Sequence, residues 1–179
     1  MSQDSSALIL IGPTGAGKTT VGRLLALKLG VPFFDMDEEI EARCGADISW
    51  IFDVEGEAGF RNREARVLKE LVAFGRVVVS CGAGVVLRPN NRVFLKSYGG
   101  LVIWLQVDLK TQVDRLKNDK SRPLLKVSDP RAKLRSMAVE RESFYRECSG
   151  IRVQTKKANP SVLVRHIIEQ IKEAYDTDT

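Results

Sequence analysis

One histidine and three cysteines are all that this chain of 179 residues offers in imidazole and thiol chemistry. Cys44, Cys81 and Cys148 are odd in number and far apart, which argues against a disulfide framework and against a cysteine metal site. A reducing cytoplasm is the compartment expected of such usage. His166 falls in the last predicted helix, distant in sequence from every motif, and is expected to be structural. Long apolar runs are also missing. The longest, Leu101–Leu105, is far too short to span a bilayer. The first six residues are polar and carry no basic side chain, so they do not read as a signal peptide. No internal repeat, low-complexity stretch or linker divides the chain. A hydrophobic content of 44% with 28% charged residues suits one soluble globular domain over 1–179, with disordered polar ends at Ser2–Ser6 and Asp176–Thr179.

The net charge of +5 fits either a nucleic-acid partner or anionic small substrates. Basic residues are scattered, with short clusters at Lys117–Lys126 and Arg131–Arg135, and acidic residues lie among them. Small anionic substrates are therefore favoured, with neither nucleic acid nor membrane as a partner.

What is present is more specific. Ala7–Ile11 reads as a buried strand, and Gly12–Thr19 (GPTGAGKT) follows it directly, matching the P-loop pattern G-x-x-x-x-G-K-[ST]. Thr20–Leu29 then shows apolar residues at helical spacing. Glycines at 12, 15 and 17 let the backbone approach phosphate oxygens, and the helix dipole favours an anion there. Gly12, Gly15, Ala16, Gly17, Lys18, Thr19 and Thr20 are thus the candidate nucleotide site. Lys18 would reach the β- and γ-phosphates, and Thr19 Oγ1 would serve Mg²⁺. ATP and Mg²⁺ are the expected co-substrate and cofactor.

Strand-like and helix-like segments alternate along the rest of the chain. Strands are predicted at 31–35, 77–80, 101–107 and 151–154, and helices at 37–44, from 47, at 57–74, 111–117, 129–146 and 160–175. This order predicts a three-layer α/β/α fold around a mostly parallel sheet. Trp50 and Trp104 read as core aromatics.

Five further positions are candidates for chemistry. Asp35 and Asp37 close the second strand, where open α/β sheets place ligands. Asp35 would serve the Mg²⁺ shell and Asp37 a substrate hydroxyl; alternatively Asp37 is only a helix N-cap. An aspartate with an ordinary pKa near 4 is a weak base, so orientation is the main role expected of Asp37. Arg61 would fork onto a carboxylate; alternatively this is an exposed helix face, with Arg63 and Glu64 pairing across turns. Gly82, Ala83 and Gly84 form a second glycine-containing turn at a strand end. Segment 118–128 reads as a mobile lid whose Arg122 would close over phosphates, or else as a solvated loop. Arg141 lies on a helix beside Glu140 and Glu142, neither of which faces it across a turn. Asp108 superficially resembles a Walker B acid, but capping of the next helix is the expected role.

In this order these motifs resemble shikimate kinase, from about Leu8 to Ile171. The resemblance rests on the P-loop G-P-x-G-A-G-K-[ST]-T, the D-x-D pair, E-G-E-x-x-F-R at Glu55–Arg61, the R-P-L-L lid and an E-R-x-x-x-Y helix. It implies transfer of the γ-phosphoryl of ATP to the 3-hydroxyl of shikimate, in the chorismate route to aromatic amino acids. Lys18, Asp37 and Arg122 would be catalytic, with Arg115 beside Arg122 on the adenine side. Asp37, Arg61 and Arg141 would hold shikimate, with Gly82, Ala83 and Gly84 against it. A small kinase of this kind is compatible with a monomer. Another small-metabolite kinase, such as a gluconate kinase, and a nucleic-acid-stimulated P-loop ATPase are the alternatives. Two departures stand out. The family's three consecutive glycines are here Gly82-Ala83-Gly84, where an alanine disfavours positive φ. Its usual R-x-P-L-Y is Arg141-Glu-Ser-Phe-Tyr145, which keeps the arginine.

Overall fold

The computed structural model describes residues 6–98, 100–117, 127–155 and 159–177. Five strands, β1 (Leu8–Ile11), β2 (Phe33–Asp35), β3 (Val78–Ser80), β4 (Val102–Gln106) and β5 (Ile151–Gln154), form one sheet in the order β2-β3-β1-β4-β5. Every pairing is parallel. Among the described residues six α-helices lie between the strands, α1 (Lys18–Leu29), α2 (Met36–Cys44), α3 (Ile48–Val72), α4 (Pro89–Ser97), α5 (Leu109–Leu116) and α6 (Pro130–Cys148), and α7 (Pro160–Thr177) follows β5.

A period of two along the strands creates two separate cores. Ile9, Ile11, Val79, Val102 and Trp104 face one side, packing with Ile40 of α2, Leu68 of α3, Leu95 of α4 and Tyr145 of α6. Leu8, Leu10, Val78, Ile103 and Leu105 face the other, against Val21 and Leu25 of α1 and Ile167 of α7. At the centre of the sheet both faces are covered, so β1 (LILI) and β4 (VIWLQ) read as near-continuous apolar runs, whereas the edge strand β5 (IRVQ) alternates buried and exposed residues. The predicted three layers are present.

Differences from the sequence expectation have local causes. The helices expected from 47 and over 57–74 are both there, on either side of a kink at the non-helical Gly56 (φ 70°, ψ 176°), and are counted together as α3. Helix α4, to which no element was assigned, starts on Pro89, whose fixed φ suits a first helical residue. Its Asn91 and Arg92 side chains donate to the carbonyls of Val85, Val86 and Leu87 in a 3₁₀ turn just before it. Trp104 is buried, but Trp50 is half exposed at 53%, because its neighbour Ile51 takes the inward face of α3. Asp176 and Thr177, expected to be disordered, extend α7.

Candidate active site

β1 lies between β3 and β4, where successive connections leave in opposite directions, and the carboxyl ends of these strands open into one crevice. The loop after β1 turns through Gly15 (φ 75°) and Gly17 (φ 89°), torsions that an L side chain would strain. Helix α1 starts immediately after Gly17 with no acidic residue in its first turn and no capping side chain. Helices α2, α3, α5 and α6 are each capped by an aspartate, at 35, 47, 108 and 129. The N–H groups and dipole of α1 are thus left for an external anion. Lys18 Nζ donates to the carbonyls of Gly12 (2.8 Å) and Pro13 (3.0 Å). Helix α5 braces the loop from outside. Gln112 donates to Thr14 O at 2.8 Å and Arg115 to Gly15 O at 3.0 Å. Asp108 starts that helix by accepting from the Thr111 N–H and hydroxyl, bonds that lower its pKa, and it stays out of the site as expected.

Asp35 divides its two oxygens. Oδ1 accepts from the N–H of Asp37 (3.0 Å) and of Glu38, while Oδ2 accepts from Thr19 Oγ1 at 2.7 Å. The N-cap of α2 is therefore Asp35, not Asp37. Asp37 sits in the first turn of α2 instead of on extended chain, because Asp35 starts the helix one residue earlier than expected. Thr19 and Asp35 are hard oxygen donors, and Mg²⁺ takes few protein oxygens beside phosphate and water. The pair fits that ion.

On the opposite wall, the kink at Gly56 reorients the second part of α3. It allows Glu55 to pair with Arg63, eight positions along (Nε–Oε2 2.8 Å), and that bond lowers the Glu55 pKa. In a straight helix those residues would be about 12 Å apart along the axis. Glu64 pairs with Arg61 rather than with Arg63. Arg61 Nη1 donates to both Glu64 oxygens, at 3.0 and 2.9 Å, and a weaker contact reaches Glu57. The exposed-face alternative is thereby overturned, since Arg61 and Glu64 are both buried. Burial pushes the Glu64 carboxyl up to about 7, against the lowering effect of Arg61.

The turn Gly82-Ala83-Gly84 needs no positive φ, so the alanine is torsionally compatible. Its glycines are required by space. A Cβ on Gly84 would collide with the Arg61 guanidinium, and one on Gly82 would press on Glu64 and Asp37. Arg141 is buried on α6, and its Nε makes no hydrogen bond among the described residues, with Glu140 at 3.5 Å.

Lys18, Thr19, Asp35, Asp37, Gly82, Ala83 and Arg115, together with Gly15, Gly17 and Thr20, line one cleft of about 420 Å³. Gly12 and the buried Ala16 shape the loop from behind. Arg61 and Gly84 stand behind the Gly82 wall, while Arg141 faces a smaller cavity with Thr14 and Tyr145. Arg122 and positions 118–126 of the expected lid lie outside the described residues. His166 is on the exposed side of α7, 3.9 Å from Glu169 and away from the cleft.

The shikimate kinase family model matches residues 14–172. The chain belongs to the shikimate kinase family. The shikimate kinase of Chromohalobacter salexigens is 45% identical over 97% of this chain and 96% of its own length. That of Pseudomonas aeruginosa is 46% identical over 93% and 96%. The structure of shikimate kinase from Acinetobacter baumannii in complex with shikimate superposes with a TM-score of 0.92 at 42% identity, covering 96% of each chain. A gluconokinase from Sinorhizobium meliloti shares the fold alone, with a TM-score of 0.61 at 16% identity over 98% of this chain and 99% of its own.

Within this shikimate kinase family member, two side chains at the site were not singled out from sequence. Glu64 looked like a helix-surface acid; only the kink at Gly56 and the missing side chain of Gly82 reveal why it is inside. Tyr145 was quoted as part of a motif without a role. Its ring stacks on Trp104 with centroids 5.7 Å apart, and its hydroxyl donates to Ala83 O at 2.5 Å.

Proposed function

We propose that the protein transfers the γ-phosphoryl of ATP to the 3-hydroxyl of shikimate, acting as a monomeric single domain over residues 1–179 in the cytoplasm. The observation that carries this reading is the uncapped, acid-free N-terminus of α1 facing Asp37 and Gly82 across one cleft. One wall can hold a triphosphate and the other a small hydroxylated acid. The relative from Acinetobacter baumannii, in complex with shikimate, supports the choice of acid.

In this reading Lys18 and the amides of residues 15–20 hold the β- and γ-phosphates, with Arg115 beside the nucleotide. Thr19 and Asp35 would hold Mg²⁺, which when bound supplies charge neutralisation to the phosphates. Asp37 orients the acceptor hydroxyl toward the loop. Arg61 and Arg141 take the acceptor carboxylate, and Gly82, Ala83 and Gly84 form the surface it rests on. Arg122 covers the phosphates. Phosphoryl transfer asks for positioning and neutralisation of charge more than for covalent chemistry, and both are supplied by groups fixed before substrate arrives. Arg61 is held by the buried Glu64 and Arg115 by the carbonyl of Gly15, so these two need little reorganisation on binding.

The test is ADP release from ATP and Mg²⁺ with shikimate, gluconate or a nucleoside monophosphate as acceptor. Turnover with shikimate alone is expected. Preference for either of the others would overturn the assignment.

A further inference from the structure

Tyr145 links three parts of the site that the chain keeps far apart in sequence. It lies on α6 one turn after Arg141, is only 2% exposed, and borders the small cavity formed with Pro13 and Thr14 of the phosphate loop. Its ring is fixed by Trp104 of β4. Its hydroxyl ends on the carbonyl of Ala83, 62 positions away, at 2.5 Å. The backbone bonds of that turn are local, from Val85 N–H to Gly82 O at 3.1 Å and from Leu87 N–H to Gly84 O at 3.0 Å. The Tyr145 bond instead ties it to a distant helix. The turn contributes Gly82 and Ala83 to the cleft, and its glycines have no side chains to anchor it. Burial raises the Tyr145 pKa well above its usual value, so the hydroxyl remains a donor throughout the working range.

We propose that Tyr145 is a positioning residue for the acceptor: by donating to Ala83 O it fixes the Gly82–Gly84 turn against the cleft. This rests on the acceptor site proposed above. The tether ties the turn to the helix that carries Arg141, so the surface under the acceptor and one arginine proposed for its carboxylate move as a unit. The nucleotide loop is braced separately, by Gln112 and Arg115 of α5. Loss of the tether therefore acts on one substrate and spares the other. The methyl of Ala83 makes the placement matter more, because a turn that drifts would carry that methyl with it.

Tyr145→Phe keeps the stacked ring and removes one oxygen. The KM for shikimate is expected to rise about tenfold, the scale of one well-made hydrogen bond. The KM for ATP should stay within twofold and kcat within threefold. KM does not depend on the fraction of enzyme folded, so a modest loss of stability lowers only the apparent kcat. If the variant does not accumulate, Tyr145→Met fills the same space with an adaptable chain and also lacks the hydroxyl. An unchanged shikimate KM, or equal rises for both substrates, would overturn the proposal. Wild-type enzyme that ignored shikimate altogether would instead overturn the acceptor assignment on which it rests.

Discussion

Gly82 and Glu64 are packed so closely that a Cβ on the glycine would stand 2.8 Å from Glu64 Oε1. The same atom would lie 2.9 Å from Asp37 Oδ1. The glycine is thus held by contact with two acids, since its backbone torsion is open to any residue. Gly82→Ala is expected to push Asp37 and the Arg61–Glu64 pair out of place, at an overpacking cost of about 1–3 kcal/mol. Steady-state kinetics should show the KM for the acid rising at least tenfold, with that for ATP little changed. An equal rise in both would place the damage in the nucleotide loop.

Glu64 predicts a pH dependence of stability. Its folded pKa is raised to about 7 from an ordinary 4.5. The folded protein thus keeps a proton that the unfolded chain has already released, and binds more protons between those two values. Stability must then fall as pH rises through this window, and the loss is complete above about pH 7. Glu64→Gln cannot titrate there. Thermal midpoints measured from pH 5 to 8 should decline more steeply for the wild type than for the variant, and parallel curves would show that Glu64 is ionised throughout.

Asp35 both caps α2 and faces Thr19, and one substitution separates these duties. Asparagine caps helices about as well as aspartate but carries no charge. Asp35→Asn should therefore melt near the wild-type temperature while needing about tenfold more Mg²⁺ for half-maximal rate. A stability loss with an unchanged Mg²⁺ requirement would assign the carboxylate to the cap alone.

Lys18→Met keeps an unbranched chain at the start of α1 and removes the ammonium. Transfer is expected to fall more than ~10²-fold, the scale for losing a preorganised charge partner. Single-turnover measurements at saturating ATP would separate this from weak binding, and near-wild-type turnover would refute the phosphate-loop assignment.

Much of this was legible in the chain because local chemistry and global fold agree. The loop from Gly12 to Thr19 sits between an apolar run and a helical pattern, so its role follows from neighbours in sequence. The Asp108 cap was legible for the same reason. Glu64 was not, since a carboxylate two turns beyond a glycine looks like surface until the kink at Gly56 turns it inward. The cap of α2 was expected only at Asp37, although Asp35 two residues earlier has the same capping chemistry and its Oδ1 accepts from the N–H groups of Asp37 and Glu38. Helix α4 was not assigned at all, and what fixes its start lies outside its own sequence pattern: Asn91 is buried and donates to Val85 O in the preceding turn. Tyr145 escaped because its partner is a backbone carbonyl on another element.

Gly56 carries a consequence of handedness. Nothing lies within 4 Å of a Cβ built on it, so the elbow in α3 is imposed by torsion alone and by no steric neighbour. At φ 70° and ψ 176° the residue occupies the mirror image of ordinary extended backbone, a region natural to a right-handed amino acid. The ribosome's single achiral building block stands there in place of a D-residue. The bend that brings Arg61 and Glu64 inward is therefore written in stereochemistry, at one position where the chain must forgo being left-handed.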